Sequence, residues 1–320
     1  MITMTSDKIK AVILGHAVAD ALGVPAEFCT REELDEAPIT TMEGFGTYPY
    51  PAGSWSDDTS MSIAALDSLA RGHLNYDEIM FNFCKWYYKD EYTPTGELFD
   101  AGYTCCKAIE NYFELKLPFG AWGEDGERSN GNGSLMRIHP FVLYAKYGNF
   151  KGDFLQMIYE ASALTHAHRR SEIGCGIYAI ILKQLLDNPS KESILQGLRL
   201  AKDQYESEAE FPYYGRIFAD DFATLDRSEI KSGGYIVHTL EAALWCLLTT
   251  DSYAECVLKA VNLGDDTDTV AAVAGGLTGA LYGLDSIPQE WISTLLRRDY
   301  IEGLCERACD TWLQNENGDF

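Results

Sequence analysis

Two acidic segments in this sequence carry side-chain oxygens at a density that ordinary structure does not require. The first is Ser56-Asp57-Asp58-Thr59, the second Asp265-Asp266-Thr267-Asp268-Thr269. Each precedes a helical pattern, so helix capping is the simplest role for any one of these residues. One or two such side chains suffice for a cap, and both segments exceed that. Three carboxylates within Asp265–Asp268 repel one another unless a cation sits among them, and no Lys or Arg occurs between Lys259 and Arg297. A divalent cation is the natural alternative. Carboxylate and hydroxyl oxygens suit magnesium, manganese or calcium better than zinc or copper.

Other segments carry weaker signals. In Asn130-Gly131-Asn132-Gly133-Ser134 the glycines let backbone N–H groups approach a phosphate, though a tight turn explains them equally. Asp100 reads as a helix N-cap. His166 and His168, two apart, would face different sides of a helix, so a shared metal is not expected. Tyr235 ends a glycine loop, where it either stacks on a base or packs. Cys305 and Cys309 lack neighbouring histidines and read as structural.

The elements that must hold these residues are helical. Ile9, Val12, Ile13, Ala17, Ala21 and Leu22 form one apolar face over 8–22, and Met61, Ala64, Ala65 and Leu69 form another, stopped by Gly72. Further helices are predicted over 77–88, 99–113, 153–164, 171–187, 191–205, 236–249, 252–262, 268–282 and 288–297, with loops at 43–55, 118–134, 206–217 and 228–235. Alternating strand patterns are nearly absent, which predicts an all-α fold. Ala271, Ala272, Ala274, Gly275, Gly276, Gly279 and Ala280 make 268–282 a helix that neighbouring backbones approach closely. The acidic segments lie about 200 residues apart, which fits one compact domain over 1–320 better than two.

Composition narrows the partners. The 320 residues include 49 acidic against 25 basic side chains, a formal charge of −24, which disfavours nucleic acid and anionic membranes. No apolar stretch is read as approaching the roughly 20 residues that span a bilayer. The nine cysteines form no Cys-x-x-Cys pair, and buried free thiols in a reducing cytoplasm are expected.

In order along the chain, Asp20-Ala21-Leu22-Gly23-Val24-Pro25-Ala26-Glu27-Phe28, Trp55 to Thr59, Gly131 to Arg137, Thr165-His166, Ser232 to Ala243 and Gly264 to Gly283 resemble the ADP-ribosylglycohydrolase family, including its dinitrogenase-reductase-activating branch. The resemblance spans nearly the whole chain. It implies a compact all-α helical bundle and a centre of two divalent cations, Mg or Mn. Its ligands would be Ser56 or Thr59, Asp57 and Asp58, with Asp266, Asp268 and Thr269. Glu27 matches a glutamate near the metals, and Asp100 an aspartate implicated as a base; Asp57 and Asp58 are the other candidate catalytic acids. Gly131, Asn132, Gly133 and Ser134 would hold the ribose and phosphates, with His166 nearby and Tyr235 at the adenine. Ala19 and Asp265 stand where many or some members have glycine, and Asp265 is expected outside the ligand set.

The resemblance implies removal of ADP-ribose from a protein or small molecule, with arginine the favoured acceptor. Serine-linked or small-molecule ADP-ribosyl substrates, a binding or structural role on the same fold, and a metal-dependent phosphohydrolase are the other readings.

Overall fold

The computed structural model describes residues 2–316. It is all-α: among the described residues there is no strand, only two isolated bridges, Glu124 with His166 and Gly131 with Tyr235. In chain order the helices are α1 (Ile2–Gly23), α2 (Arg31–Glu36), α3 (Asp57–Leu69), α4 (Tyr76–Lys89), α5 (Tyr103–Phe113), α6 (His139–Tyr147) and α7 (Phe154–Ala163). There follow α8 (Arg169–Asp187), α9 (Lys191–Tyr205), α10 (Ile236–Leu248), α11 (Tyr253–Val261), α12 (Thr267–Tyr282), α13 (Gln289–Thr294) and α14 (Arg298–Glu316).

The centre of the fold is the α1–α12 pair, and its small residues explain why. A Cβ on Gly275 would lie 2.3 Å from the Gly15 carbonyl oxygen, and one on Gly279 would lie 2.0 Å from that of Ala11. Backbones in such contact admit no side chain. The pairing continues to the helix ends, where Thr267 Oγ1 donates to the Gly23 carbonyl at 2.7 Å. It therefore sets Asp20 on α1 beside the acidic start of α12. The segment Met4–Ala26 is in fact long and apolar enough to cross a bilayer by length and composition, against the sequence expectation. Interior position accounts for it: 89% of its most apolar window is buried, and a helix packed on most sides needs no polar face.

Several elements differ from the sequence reading. Helices α2, α6 and α14 were not anticipated. α2 is a six-residue helix closed by a capping box between Thr30 and Glu33, too short to show a period. The stretch 288–297 is not one helix: α13 ends at Thr294, and Arg297 takes φ 50° before α14 begins. The 206–217 loop contains a 3₁₀ turn, Phe211–Phe218. Asp100 is not an N-cap. It adopts φ 50°, and α5 starts three residues later behind Gly102, so the Asp100 carboxyl serves the cleft described next.

Candidate active site

Asp20 organises the start of α3. Its carboxylate is fully buried and accepts from the Ser56 and Thr59 backbone N–H groups, each at 3.0 Å, and from Ser56 Oγ at 2.9 Å and Thr59 Oγ1 at 2.5 Å. Ser56 is also the N-cap, accepting from the Asp58 N–H. Orphan N–H groups of the first turn are thus satisfied by Ser56 and Asp20, and the Asp57 and Asp58 carboxylates are spared for other work. At α12 the N-cap residue Asp266 makes no side-chain cap bond. Its Oδ2 instead accepts from Asn132 Nδ2 at 2.8 Å. Capping therefore accounts for Ser56 and not for Asp57 or Asp58, whereas Asp268 Oδ1 accepts the first-turn Thr269 N–H at 2.9 Å.

The two helix starts meet. Thr269 Oγ1 on α12 donates to Asp58 Oδ2 on α3 at 3.1 Å. Glu27, Asp100 and Asp268 present carboxylate oxygens all within 4.8 Å of one another, and the Gly102 N–H donates to Asp57 Oδ2 at 3.3 Å. Among the described residues no ion pair links any of these carboxylates to Lys or Arg. Asp58 Oδ1, Glu27 Oε2 and Asp268 Oδ2 are buried without a hydrogen-bond partner. Buried carboxylate oxygens that lack both a donor and a counter-charge are costly.

The electrostatics record that cost. Burial, then the charge of Asp100, pushes Glu27 up to about 8. Burial pushes Asp100 and Asp20 each up to about 6, Asp100 with help from Asp266. Asp57, Asp58 and Asp268 rise well above the carboxylate range through burial and the charges of their neighbours. A cation among them would reverse this.

Above the carboxylates opens a cleft of about 270 Å³. Of the residues singled out in the sequence, Glu27, Asp57, Asp100, Gly131, Asn132, Gly133, His166, Asp266 and Thr269 line it, and no Lys or Arg does. Asp58 and Asp268 lie beneath, fully buried, with Ser56 and Thr59 beside Asp20. The Ser134 hydroxyl turns into the core, accepting from Ser162 Oγ at 3.0 Å. Tyr235 stands behind the wall, bridged to Gly131, while Gly234 faces the cleft. Asp265 is exposed at φ 61°. His166 and His168 share no helix: His168 caps α8 and faces Glu127, whereas His166 faces the cleft.

The glycine-asparagine loop is held from three sides. The Asn132 N–H donates to the Gly234 carbonyl at 3.1 Å, and the Ile236 N–H to the Asn130 carbonyl at 3.1 Å. Asn132 Nδ2 donates to Thr239 Oγ1 at 2.9 Å as well as to Asp266.

The ADP-ribosylglycohydrolase family model matches residues 1–318. The chain belongs to the ADP-ribosylglycohydrolase family. Members are hydrolases of the ADP-ribose glycosidic bond, and this chain shares their fold. It is 32% identical to ADP-ribosylarginine hydrolase Tri1 of Serratia proteamaculans over 94% of this chain and 78% of that one. It is 30% identical to the ADP-ribosyl-[dinitrogen reductase] glycohydrolase of Rhodospirillum rubrum over 90% of each. A solved structure titled an ADP-ribosylglycohydrolase-related protein complex superposes with a TM-score of 0.81 at 30% identity, covering 97% of this chain and 99% of that one.

Within this ADP-ribosylglycohydrolase, the acidic cluster is one that could hold a metal ion. Sequence reasoning missed the part played by Asp20, although a lone acid inside the apolar face of 8–22 was the available signal. It also missed Tyr48, beside the Glu27 carboxylate, and the exposed Phe28 and Tyr103 on the cleft wall. Phe28 lies outside any helical period, and Tyr103, the first residue of α5, is exposed and so belongs to no apolar face.

Proposed function

We propose that this protein hydrolyses ADP-ribosyl-arginine, on a protein or a small molecule, with two divalent cations, magnesium or manganese. The observation that carries the reading is the buried carboxylate cluster, without a counter-charge, beneath a glycine-lined cleft. Its unpartnered oxygens on Glu27, Asp58 and Asp268 are hard donors suited to such ions. Asp57, Asp58, Asp266, Asp268 and Thr269, with Ser56 or Thr59 through a remaining hydroxyl lone pair, would hold them. When bound, the ions supply Lewis acidity at the ribose oxygens and make water a better nucleophile.

The chain's own residues do the rest. Gly131 and Gly133 leave room for the ribose and phosphates against the loop, with Ser134 holding the loop to the core. Tyr235, behind the wall and next to the cleft-lining Gly234, would border the adenine. Glu27 and Asp100 sit at the carboxylate end; without metal, burial and neighbouring charge raise them to about 8 and about 6, and bound cations would lower both, leaving carboxylates that can accept a proton. In the reaction the bond from ribose C1″ to the guanidine nitrogen breaks and one from C1″ to the water oxygen forms. The proton lost by water would pass to a carboxylate, Asp100 or Glu27, and the departing nitrogen takes up one proton. The free thiols fit a reducing compartment such as the cytoplasm.

The test is release of free ADP-ribose from arginine-modified and serine-modified peptides, with EDTA and with added magnesium or manganese. Metal-dependent release from arginine is expected. Release from serine alone would sink the arginine assignment, and release unaffected by EDTA would sink the metal assignment.

A further inference from the structure

His166 presents one ring edge to the cleft, and what that edge binds depends on which nitrogen carries the proton. Its Nδ1 lies 2.7 Å from Thr165 Oγ1. The same hydroxyl oxygen accepts from Arg137 Nη2 at 2.7 Å. A guanidinium only donates, so one threonine lone pair is committed. A hydroxyl that accepts from a cation becomes the stronger donor and the weaker acceptor. Its proton has two neighbours to choose from, imidazole Nδ1 and the Cys105 thiol, and imidazole nitrogen is far the better acceptor. Nδ1 therefore accepts, and the neutral ring carries its proton on Nε2. Burial and the charge of Arg137 push His166 down to about 3, so the ring stays neutral.

Arg137 itself asks for a reason. It is fully buried, donates also to the Ala161 carbonyl at 3.0 Å, and lies 5.0 Å from the centre of the Phe83 ring. Among the described residues no carboxylate forms an ion pair with it. A buried cation without a carboxylate partner is a poor structural choice. On the cleft side, the His166 ring packs on the glycine loop. A Cβ on Gly131 would lie 3.4 Å from Nε2, and one on Gly133 2.9 Å from Cε1.

We propose that Arg137, acting through Thr165, is a positioning residue that locks His166 as the Nε2–H tautomer, and that this neutral donor binds a phosphate oxygen of the substrate. The second half rests on the ADP-ribosyl reading above. A neutral donor suits this cleft: an imidazolium would be drawn to the carboxylates, whereas the other tautomer would aim a lone pair at the phosphate. Gly131 and Gly133 then serve a second purpose, keeping the ring edge within reach of the ligand.

The test combines histidine ¹⁵N NMR of the full chain with binding of ADP-ribose and of adenosine. His166→Asn assigns the signal. Wild type is expected to show a protonated Nε2 and an unprotonated Nδ1 that persist to pH 5. Thr165→Val removes the relay: the His166 signals shift toward the Nδ1–H form, and ADP-ribose affinity falls about tenfold. Adenosine affinity is unchanged, and Thr165→Ser restores both readouts. Arg137→Met should act in the same direction, and Thr165→Val keeps the test open if that variant fails to fold. A wild-type proton on Nδ1, or unchanged tautomer and affinity in folded Thr165→Val, overturns the proposal. Wild type that fails to bind ADP-ribose overturns the phosphate contact. Because the tautomer is read without turnover, loss of the arginine-hydrolase reading alone would leave the Arg137–Thr165 lock standing or falling on its own data.

Discussion

Removing divalent cations from this protein and raising the pH from about 6.5 to 8 should destabilise it, and the sign follows from the site. Glu27 is raised from 4.5 to about 8 by burial and by Asp100. The native state therefore holds a proton that the unfolded chain has lost, and stability falls as pH climbs toward the folded value. That contribution is complete below the unfolded pKa and gone above the folded one. Asp57, Asp58 and Asp268, raised well above 3.8, act in the same sense. The buried histidines act oppositely: His16, His139 and His166 are depressed, to about 4 for His16 and about 3 for His166. Their stabilising effect grows with pH until about a unit above the ordinary value of 6.5, so over this window the three together offset about 1 kcal/mol of the carboxylates' fall. One pH unit on one such group is worth on the order of 1 kcal/mol. Glu27 alone gives about 2 kcal/mol over the window, a fall of roughly 4 °C in Tm for a chain of this size. Thermal melts in EDTA across the window, repeated with saturating magnesium or manganese, read it directly. The metal-loaded protein should melt higher, with a gap that widens with pH, and Glu27→Gln should flatten the EDTA slope. A flat or rising Tm in EDTA, or no effect of cations at pH 8, would refute the reasoning.

Asp58→Asn and Asp266→Asn should each cut ADP-ribose release at least about a hundredfold, measured at saturating metal; near wild-type rates in both would remove the carboxylates from the mechanism. Gly275→Ala should lower stability by roughly 1–3 kcal/mol in chemical denaturation, because its Cβ would meet the Gly15 carbonyl at 2.3 Å. A stabilising result would mean that helix propensity, worth about 1 kcal/mol, outweighs the α1–α12 contact. Asp265→Gly should keep turnover and metal dependence within about twofold, since Asp265 is exposed and its φ of 61° suits glycine; a large loss would make Asp265 part of the site.

The sequence disclosed the acidic centre because like charges without a cation are anomalous at any distance in the fold, and periodicity placed both segments at helix starts. It also disclosed the small-residue face of α12, because glycines in a helix demand close neighbours. The partner on that face is α1, whose Ala11, Gly15 and Ala19 form the matching surface. What stayed hidden depends on long-range placement. Asp100 looked like a cap because acids before helices usually are. Only its left-handed backbone at φ 50°, imposed by the turn into α5, aims it at Glu27 and Asp268. Ser56 and Thr59 look like free oxygens in the sequence, but both hydroxyls donate to Asp20, 36 and 39 positions away. That contact leaves each hydroxyl a lone pair for a cation and no proton to offer a substrate, so the pair's contribution at the centre is as oxygen donors fixed by Asp20. The fold thus uses one buried carboxylate to satisfy the α3 start, which leaves Asp57 to face the cleft and Asp58 to lie beneath it.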